Sequence, residues 1–262
     1  MIVAAVQLDI AWHDPGANRS RVERLLRDRR YPAGSFVLLP ELFDVGFSTD
    51  LRAILPSDAP RWAAGLAREL SIFLQVGFPE LAPDGFGRNC AAIARPDGSL
   101  GPTYAKLHPF GYGRETESFK GGDRLVLEAC GPLLVAPAVC YDLRFPELFR
   151  HAALAGANLI SIGASWPAPR AAAWRALAIA RAIENQSFVV ACNRVGCDPN
   201  ARYPGGSLVI SPEGEVLAEG DDRESLVEST IDPARCAAWR EKFPALRDVR
   251  RGLLGSIDID RA

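Results

Sequence analysis

The feature that most constrains this chain is a series of short runs with no polar face, each separated from the next by a turn or a helical pattern. "IVAAVQL" (2–8), "SFVLLP" (35–40), "IFLQVGF" (72–78), "NCAAIA" (89–94), "LLVAPAVC" (133–140), "NLISIGAS" (158–165), "SFVVACN" (187–193) and "GSLVIS" (206–211) read as strands. A strand that is apolar on both faces must be covered on both sides, which is the situation of a sheet inside a layered α/β fold. The helices between them have legible starts. Asp14 and Pro15 form a cap and first turn ahead of Val22, Leu25 and Leu26, and Pro60 precedes Ala63, Leu66, Ala67 and Leu70. Pro146 precedes Leu148, Phe149 and Ala152, and Pro169 precedes an alanine-rich stretch that runs to about Asn185. "RPDGSL" and "SPEGEV" read as hairpin turns, because each puts glycine where a positive φ is needed. Two hairpins among alternating strands and helices predict mixed sheets rather than wholly parallel ones.

No linker-like stretch divides the 262 residues, so one domain spanning 1–262 is expected, with a tail from about 244 that is extended and serves packing or a subunit contact. A net charge of -2 gives no electrostatic case for nucleic acid as a partner, and no apolar run approaches a membrane span. The opening "MIVAAVQLDIAWHD" reads as a strand carrying Asp9 and ending near His13 rather than as a leader, so a cytoplasmic location is expected. Six cysteines in a chain of this size are expected to be reduced thiols. The three histidines, His13, His108 and His151, stand at no metal-ligand spacing, and Cys192 with Cys197 is a weak zinc signal. No metal and no cofactor are therefore expected.

Three residues invite a chemical reading. Cys140 closes an apolar strand immediately before a helix started by proline, although a free cysteine is commonly just a small buried hydrophobe. Glu41, in "LLPELF", ends another apolar strand, a costly place for a carboxylate unless something there needs it. Lys106, in "TYAKLHPF", follows a hairpin strand, with His108 close by. Taken singly, Glu41 reads more readily as a salt-bridged strand end and Lys106 as a solvated loop residue. Taken together, they would supply what a thiol needs to act as a nucleophile, a base and a positive neighbour. Strand ends are also where open α/β sheets place their chemistry. A G-x-S-x-G elbow, a Walker loop and a G-x-G-x-x-G after a strand are all absent, which argues against serine-hydrolase, phosphoryl-transfer and nicotinamide chemistry.

"LPELF", "KLHPF" and "CYDLRFPELFR", in that order, resemble the three signature segments of the nitrilase superfamily of carbon-nitrogen hydrolases. The resemblance extends through "VAAVQLD", "RNCAAIARPDGSLGPTYAKLH", "ASWPAPRAAAWRALAIARAIENQSFVVACNRVG" and "GGSLVISPEGEVLAEG", and covers roughly residues 2–232. It implies a four-layer αββα sandwich in which two mixed sheets face each other with helices outside. By motif, it makes Glu41 the general base, Lys106 the cation beside the developing oxyanion and Cys140 the nucleophile, with the backbone N–H of Tyr141 as a second oxyanion donor. It also implies a second glutamate beyond the lysine. "GYGRETESFKGGD" offers Glu115 and Glu117, and Glu115 is the expected one. Pro109 stands where leucine is more usual. Pro137 lies inside the nucleophile's own strand, where its missing N–H calls for a bulge or an edge position.

Nitrile hydrolysers of this superfamily typically carry Trp-Glu after the cysteine, whereas "CYDLRFPE" resembles the amidase branches. Arg144, in the first turn after Cys140, either binds a substrate carboxylate or forms an internal salt bridge with Asp142 or Glu147. Trp166 resembles an aromatic position that lines the pocket opposite the cysteine, and Asp142 is expected to cap the turn rather than react. The resemblance is nearest to bacterial omega-amidases, which release ammonia from the terminal amide of 2-oxoglutaramate or 2-oxosuccinamate. Deaminated-glutathione amidase, N-carbamoyl amidase and a non-catalytic binding protein of the same fold are the alternatives. A small-molecule amide is thus the expected partner. A homodimer is implied as well, with the helices opened by Pro146 and Pro169 and the tail as its contact surface.

Overall fold

The computed structural model describes residues 1–262. Its strands are, in chain order, β1 (Ile2–Gln7), β2 (Phe36–Leu38), β3 (Phe73–Leu81), β4 (Gly87–Ala94) and β5 (Tyr104–Ala105). Then follow β6 (Arg124–Cys130), β7 (Leu133–Val139), β8 (Leu159–Ala164), β9 (Phe188–Asn193), β10 (Val195–Cys197) and β11 (Arg202–Pro204). β12 (Leu208–Ile210), β13 (Val216–Glu219), β14 (Ser225–Thr230) and β15 (Asp258–Arg261) complete the set. The helices are α1 (Pro15–Arg29), α2 (Leu51–Ile54), α3 (Ala59–Leu70), α4 (Pro146–Leu154), α5 (Ala171–Asn185) and α6 (Ala234–Lys242).

One sheet runs β14-β1-β2-β3-β4-β5 and the other β13-β12-β9-β8-β7-β6-β15, both mixed, with β10 and β11 paired as a separate hairpin. The period of two along each strand sorts its residues between layers. Val3 and Ala5 of β1, Phe36 and Leu38 of β2, Leu133 and Val135 of β7, and Phe188, Val190 and Cys192 of β9 share one core between the sheets. The alternate residues turn outward. Ala4, Val6, Val37, Leu74 and Val76 meet Val22 and Leu26 of α1 and Ala63, Leu66 and Ala67 of α3. Ala138, Ile160, Ile162, Val189 and Ala191 meet Leu148, Phe149 and Ala152 of α4 and Trp174, Ala178 and Ala182 of α5. Helix, sheet, sheet and helix stack in that order, the αββα sandwich.

Asp14 caps α1 by accepting from the Ala17 N–H at 2.9 Å, and the two predicted hairpin turns carry Gly98 at φ 85° and Gly214 at φ 91°. Several expectations need correction. β1 ends at Gln7, well short of His13, and Asp9 makes only an isolated bridge to Val195. "RLVLEAC" (β6) and "SLVEST" (β14) are strands the apolar pattern did not reveal, because charged residues interrupt both. The tail is not simply extended: it makes two 3₁₀ turns, Ala245–Asp248 and Arg251–Leu253, before β15 joins β6 in parallel at the sheet edge. Pro137 is neither in an edge strand nor in a bulge, since β7 is interior and its register with β8 is unbroken from Val135 to Val139. The antiparallel ladder with β6 stops at Val135, however, so at Pro137 the strand is paired on one side alone. No helix is long and apolar enough to cross a membrane.

Burial raises the pKa of Cys90, Cys130, Cys140, Cys192 and Cys236 above the ordinary thiol value of 9.0. An unfolded chain therefore loses these protons first, the native state binds more protons, and stability falls as pH rises past about 9. The expected loss at about pH 10 is roughly 1.4 kcal/mol for each thiol that stays protonated in the native state. Urea titrations at about pH 8 and about pH 10 measure it; equal midpoints would contradict it.

Candidate active site

Glu41 lies on a segment that leaves β2 and threads between the two sheets. The sheets make room for it with glycine. A Cβ on Gly77 of β3 would stand 2.9 Å from the Pro40 carbonyl oxygen and 2.8 Å from the Leu42 nitrogen, and one on Gly163 of β8 would stand 2.7 Å from the Leu39 carbonyl oxygen. Both glycines face the sandwich interior, two residues along from Gln75 and Ser161, whose side chains hydrogen-bond across the gap at 2.5 Å. The glutamate backbone is therefore clamped by bare strand surface on both sides. Its carboxylate is fully buried.

Three other segments converge on it. Lys106, directly after β5, donates from Nζ to Glu41 Oε1 at 2.7 Å and to Glu115 Oε2 at 2.8 Å. Asn89 of β4 bridges the same two carboxylates, donating from Nδ2 to Glu41 Oε1 and to Glu115 Oε1, each at 2.8 Å. Glu115 also accepts from the Phe110 N–H at 2.5 Å, and Glu41 from the Ser165 N–H at 3.0 Å. Burial alone would strip the proton from the ammonium, yet Glu115 and Glu41 together more than offset it and hold Lys106 charged, above its usual range. The ammonium also lies 5.6 Å from the Phe47 ring centroid. Glu117 takes no part: it is exposed and pairs with Arg114 at 2.8 Å. The structure thus places Glu115, not Glu117, beside the lysine.

Cys140 is the first residue past β7 and opens a 3₁₀ turn that runs to Arg144. Its φ of 46° is rare for a residue with a side chain, and the sharp turn carries the thiol off the strand end. Burial and then the facing charge of Glu41 push the thiol well above its ordinary range, while Lys106 and the Ser165 N–H pull the other way. Asp142 orders the turn, as expected. Its Oδ2 accepts from the Val139 N–H at 3.1 Å and the Tyr104 hydroxyl at 2.7 Å, and its Oδ1 accepts from the His108 N–H at 3.0 Å. One carboxylate therefore ties the turn that carries Cys140 to the loop that carries Lys106.

The thiol opens onto a cavity of about 630 Å³ walled by Trp12, Phe110, Tyr141, Arg144, Trp166 and Tyr203, among others. Arg144 pairs with neither Asp142 nor Glu147; its guanidinium lies 4.9 Å from the Trp166 ring. Trp166 is held from both ends, its backbone N–H donating to Asn193 Oδ1 at 2.7 Å and its Nε1 to the Arg170 carbonyl at 2.8 Å. Tyr203 arrives on the β10–β11 hairpin, fastened by its hydroxyl to Asp198 at 2.6 Å. No group of three or more His, Cys, Asp or Glu side chains converges to hold a metal ion. Sequence reasoning missed Asn89, Ser165, Gly77 and Gly163. A polar Asn at the head of an otherwise apolar strand was the one signal available.

A buried thiol with a carboxylate and an ammonium beside it, on an αββα sandwich, defines a class: hydrolases that attack an amide carbon through sulfur. The family profile for carbon-nitrogen hydrolases matches residues 2–241, and the chain belongs to that family. It is 32% identical over 255 residues to a 2-oxoglutaramate amidase of Bacillus subtilis, covering 96% of this chain and 98% of the relative. It is 36% identical to a 2-oxoglutaramate amidase of Paenarthrobacter nicotinovorans, covering 95% and 89%. A solved structure of a CN-hydrolase superfamily protein from Xanthomonas campestris, bearing an arsenic adduct in its active site, superposes with a TM-score of 0.86 at 33% identity, covering 95% of this chain and 97% of that one. The protein is an enzyme that hydrolyses non-peptide carbon-nitrogen bonds.

Gly163→Ala tests the clamp around Glu41. The added methyl meets backbone that cannot rotate away, so we expect destabilisation of roughly 1–3 kcal/mol and a kcat loss larger than any change in KM. Activity equal to the parent would show that Glu41 does not depend on this contact.

Proposed function

We propose that the chain, acting as one domain, is an omega-amidase that hydrolyses the terminal amide of 2-oxoglutaramate or 2-oxosuccinamate to the oxo-diacid and ammonia. The observation that carries the reading is Arg144: a guanidinium without a carboxylate partner, in the wall of the cavity that the nucleophile opens onto. A short amide with an anionic far end supplies the missing partner. The names of the relatives at 32–36% identity support the same substrate class.

In this mechanism the Cys140 thiol passes its proton to Glu41 as Sγ bonds to the amide carbon. The oxyanion is held by Lys106 Nζ and by the Tyr141 N–H, which lies in the first turn after the nucleophile and points outside the turn's own ladder. Glu41 returns the proton to the leaving nitrogen, the C–N bond breaks and ammonia departs. Water then attacks the thioester, giving a proton to Glu41, and the C–S bond breaks as the thiol is restored. Glu115 keeps Lys106 charged and aimed. A thiol that stays protonated until substrate is seated fits a base 0% exposed and already in contact with its cation.

We also propose a homodimer working in the cytoplasm. The exposed apolar side chains Ile183 of α5 and Phe243 and Leu253 of the tail support that contact surface, and six unpaired thiols suit a reducing compartment.

The parent enzyme is expected to release ammonia from 2-oxoglutaramate, and Cys140→Ala and Lys106→Ala to abolish release. Arg144→Met should raise KM by about tenfold or more with a smaller effect on kcat. No release by a parent whose Cys140 still reacts with iodoacetamide would reject this substrate, and deaminated glutathione and carbamoyl amides would be assayed next.

A further inference from the structure

Arg144 is not alone in the cavity wall. Arg170, at the turn that leads into α5, lines the same cavity and also has no carboxylate partner and no hydrogen-bond acceptor for its guanidinium. It is half-buried, with its guanidinium carbon 5.2 Å from the Phe110 ring centroid and 5.8 Å from that of Tyr112. Two acidic side chains share the wall, and neither is paired with Arg144 or Arg170. Glu117 is paired with Arg114 at 2.8 Å, and Asp50 accepts from the Arg52 N–H at 3.1 Å as the cap of α2. The cavity therefore presents two guanidiniums that lie against aromatic rings without a carboxylate partner, and Asp50, exposed at the cap of α2, is bound to neither.

We infer that Arg170 is a second anion-binding residue of this site, which brackets the carboxylate end of a small acidic amide together with Arg144. The inference rests on the amidase reading above and adds to it a specificity-determining residue that sequence reasoning did not single out. Three features support it. First, each guanidinium already lies beside an aromatic ring, at 4.9 Å for Arg144 and 5.2 Å for Arg170, so less freedom is lost when a ligand binds. Second, the two arginines are tied to one wall: Arg144 lies over the Trp166 ring, and the Trp166 indole donates to the Arg170 carbonyl. Third, Arg170 packs on Phe110, whose backbone N–H is bound by Glu115. The aromatic side chain that positions the guanidinium thus belongs to the residue that anchors the catalytic cluster. The carboxylate end and the amide end of a substrate are held by parts of one connected structure.

A half-buried positive pair with no internal counterion is a standing electrostatic cost, relieved when a carboxylate binds. Selection against neutral amides follows from the same arrangement, because a neutral ligand would cover both guanidiniums and leave them unpaired.

Protection of Cys140 from iodoacetamide tests this without requiring turnover. Succinamate, glutaramate and 2-oxoglutaramate are compared with neutral butyramide as protectants of the parent, Arg170→Met and Arg170→Lys. We expect the carboxylates to protect the parent at lower concentration than butyramide. Arg170→Met should raise the protecting concentration of the carboxylates by about tenfold or more and leave butyramide unchanged, with Arg170→Lys recovering part of the loss. An equal loss for charged and neutral protectants would make Arg170 a wall residue only. No loss, or a parent without preference for carboxylates, would also overturn the inference. Protection by 2-oxoglutaramate without ammonia release would instead reject the omega-amidase reading and leave the anion clamp standing.

Discussion

The structure around the thiol depends on one buried ammonium. Lys106 is 1% exposed and lies between two carboxylates that are themselves fully buried. A lone charge there would cost several kcal/mol in lost hydration. Two opposite charges at hydrogen-bond distance, each anchored by further donors, make the burial tolerable. The arrangement is unforgiving toward loss of the cation, because removing Lys106 leaves two buried carboxylates facing each other without their partner. It also explains why segments from four places in the chain must meet: the exit of β2, the head of β4, the loop after β5 and the end of β8. Asn89 satisfies Glu115 Oε1 and the Ser165 N–H satisfies Glu41 Oε2, the two oxygens that Lys106 does not reach.

That requirement shapes the fold. The sandwich interior is apolar near β1 and β9, but toward the end where Glu41 enters it becomes polar, through Gln75 and Ser161, and then bare, at Gly77 and Gly163. Ordinary side chains at those two positions would fill the space the glutamate backbone needs. The cost of keeping glycine in two central strands is a loss of local strand stability, of order 0.5–1 kcal/mol each. What is gained is a carboxylate held rigidly beside the Cys140 thiol, where the proposed mechanism needs its base. Cys140 adds its own strain, a positive φ, so that its side chain leaves the strand end toward the cavity.

Much of this was legible in the sequence. Glu41, Lys106 and Cys140 stand out because a charged or reactive group at the end of a fully apolar run is locally unexplained, and the structure brings all three together. Strands apolar on both faces pointed to a layered α/β fold, while the αββα order came from the family resemblance, since periodicity alone does not separate it from other α/β layers. Burial separated Glu115 from Glu117, which spacing alone could not do, since both lie within one short loop. Gly77 and Gly163 were invisible because a glycine in a strand looks the same whether it meets solvent, a side chain or a threaded backbone. β6, β14 and β15 escaped notice for a related reason. Each carries charged residues that look like loop residues until the sheet edge that receives them is known. Arg170 reads as a surface residue near a proline; only its unpaired guanidinium in the shared cavity gives it a role.

The central claim is that burial and the facing carboxylate of Glu41 keep the Cys140 thiol protonated at rest, against the pull of Lys106, and that its proton is released only toward a seated substrate. The most direct measurement is the rate of Cys140 alkylation by iodoacetamide in the free enzyme as a function of pH. The account predicts a rate that is still climbing beyond about pH 9, and a climb displaced to lower pH in Glu41→Gln, where the facing negative charge is gone and Lys106 remains. A parent rate that levels off below about pH 7 would mean a thiolate already formed in the resting enzyme, and would contradict the account.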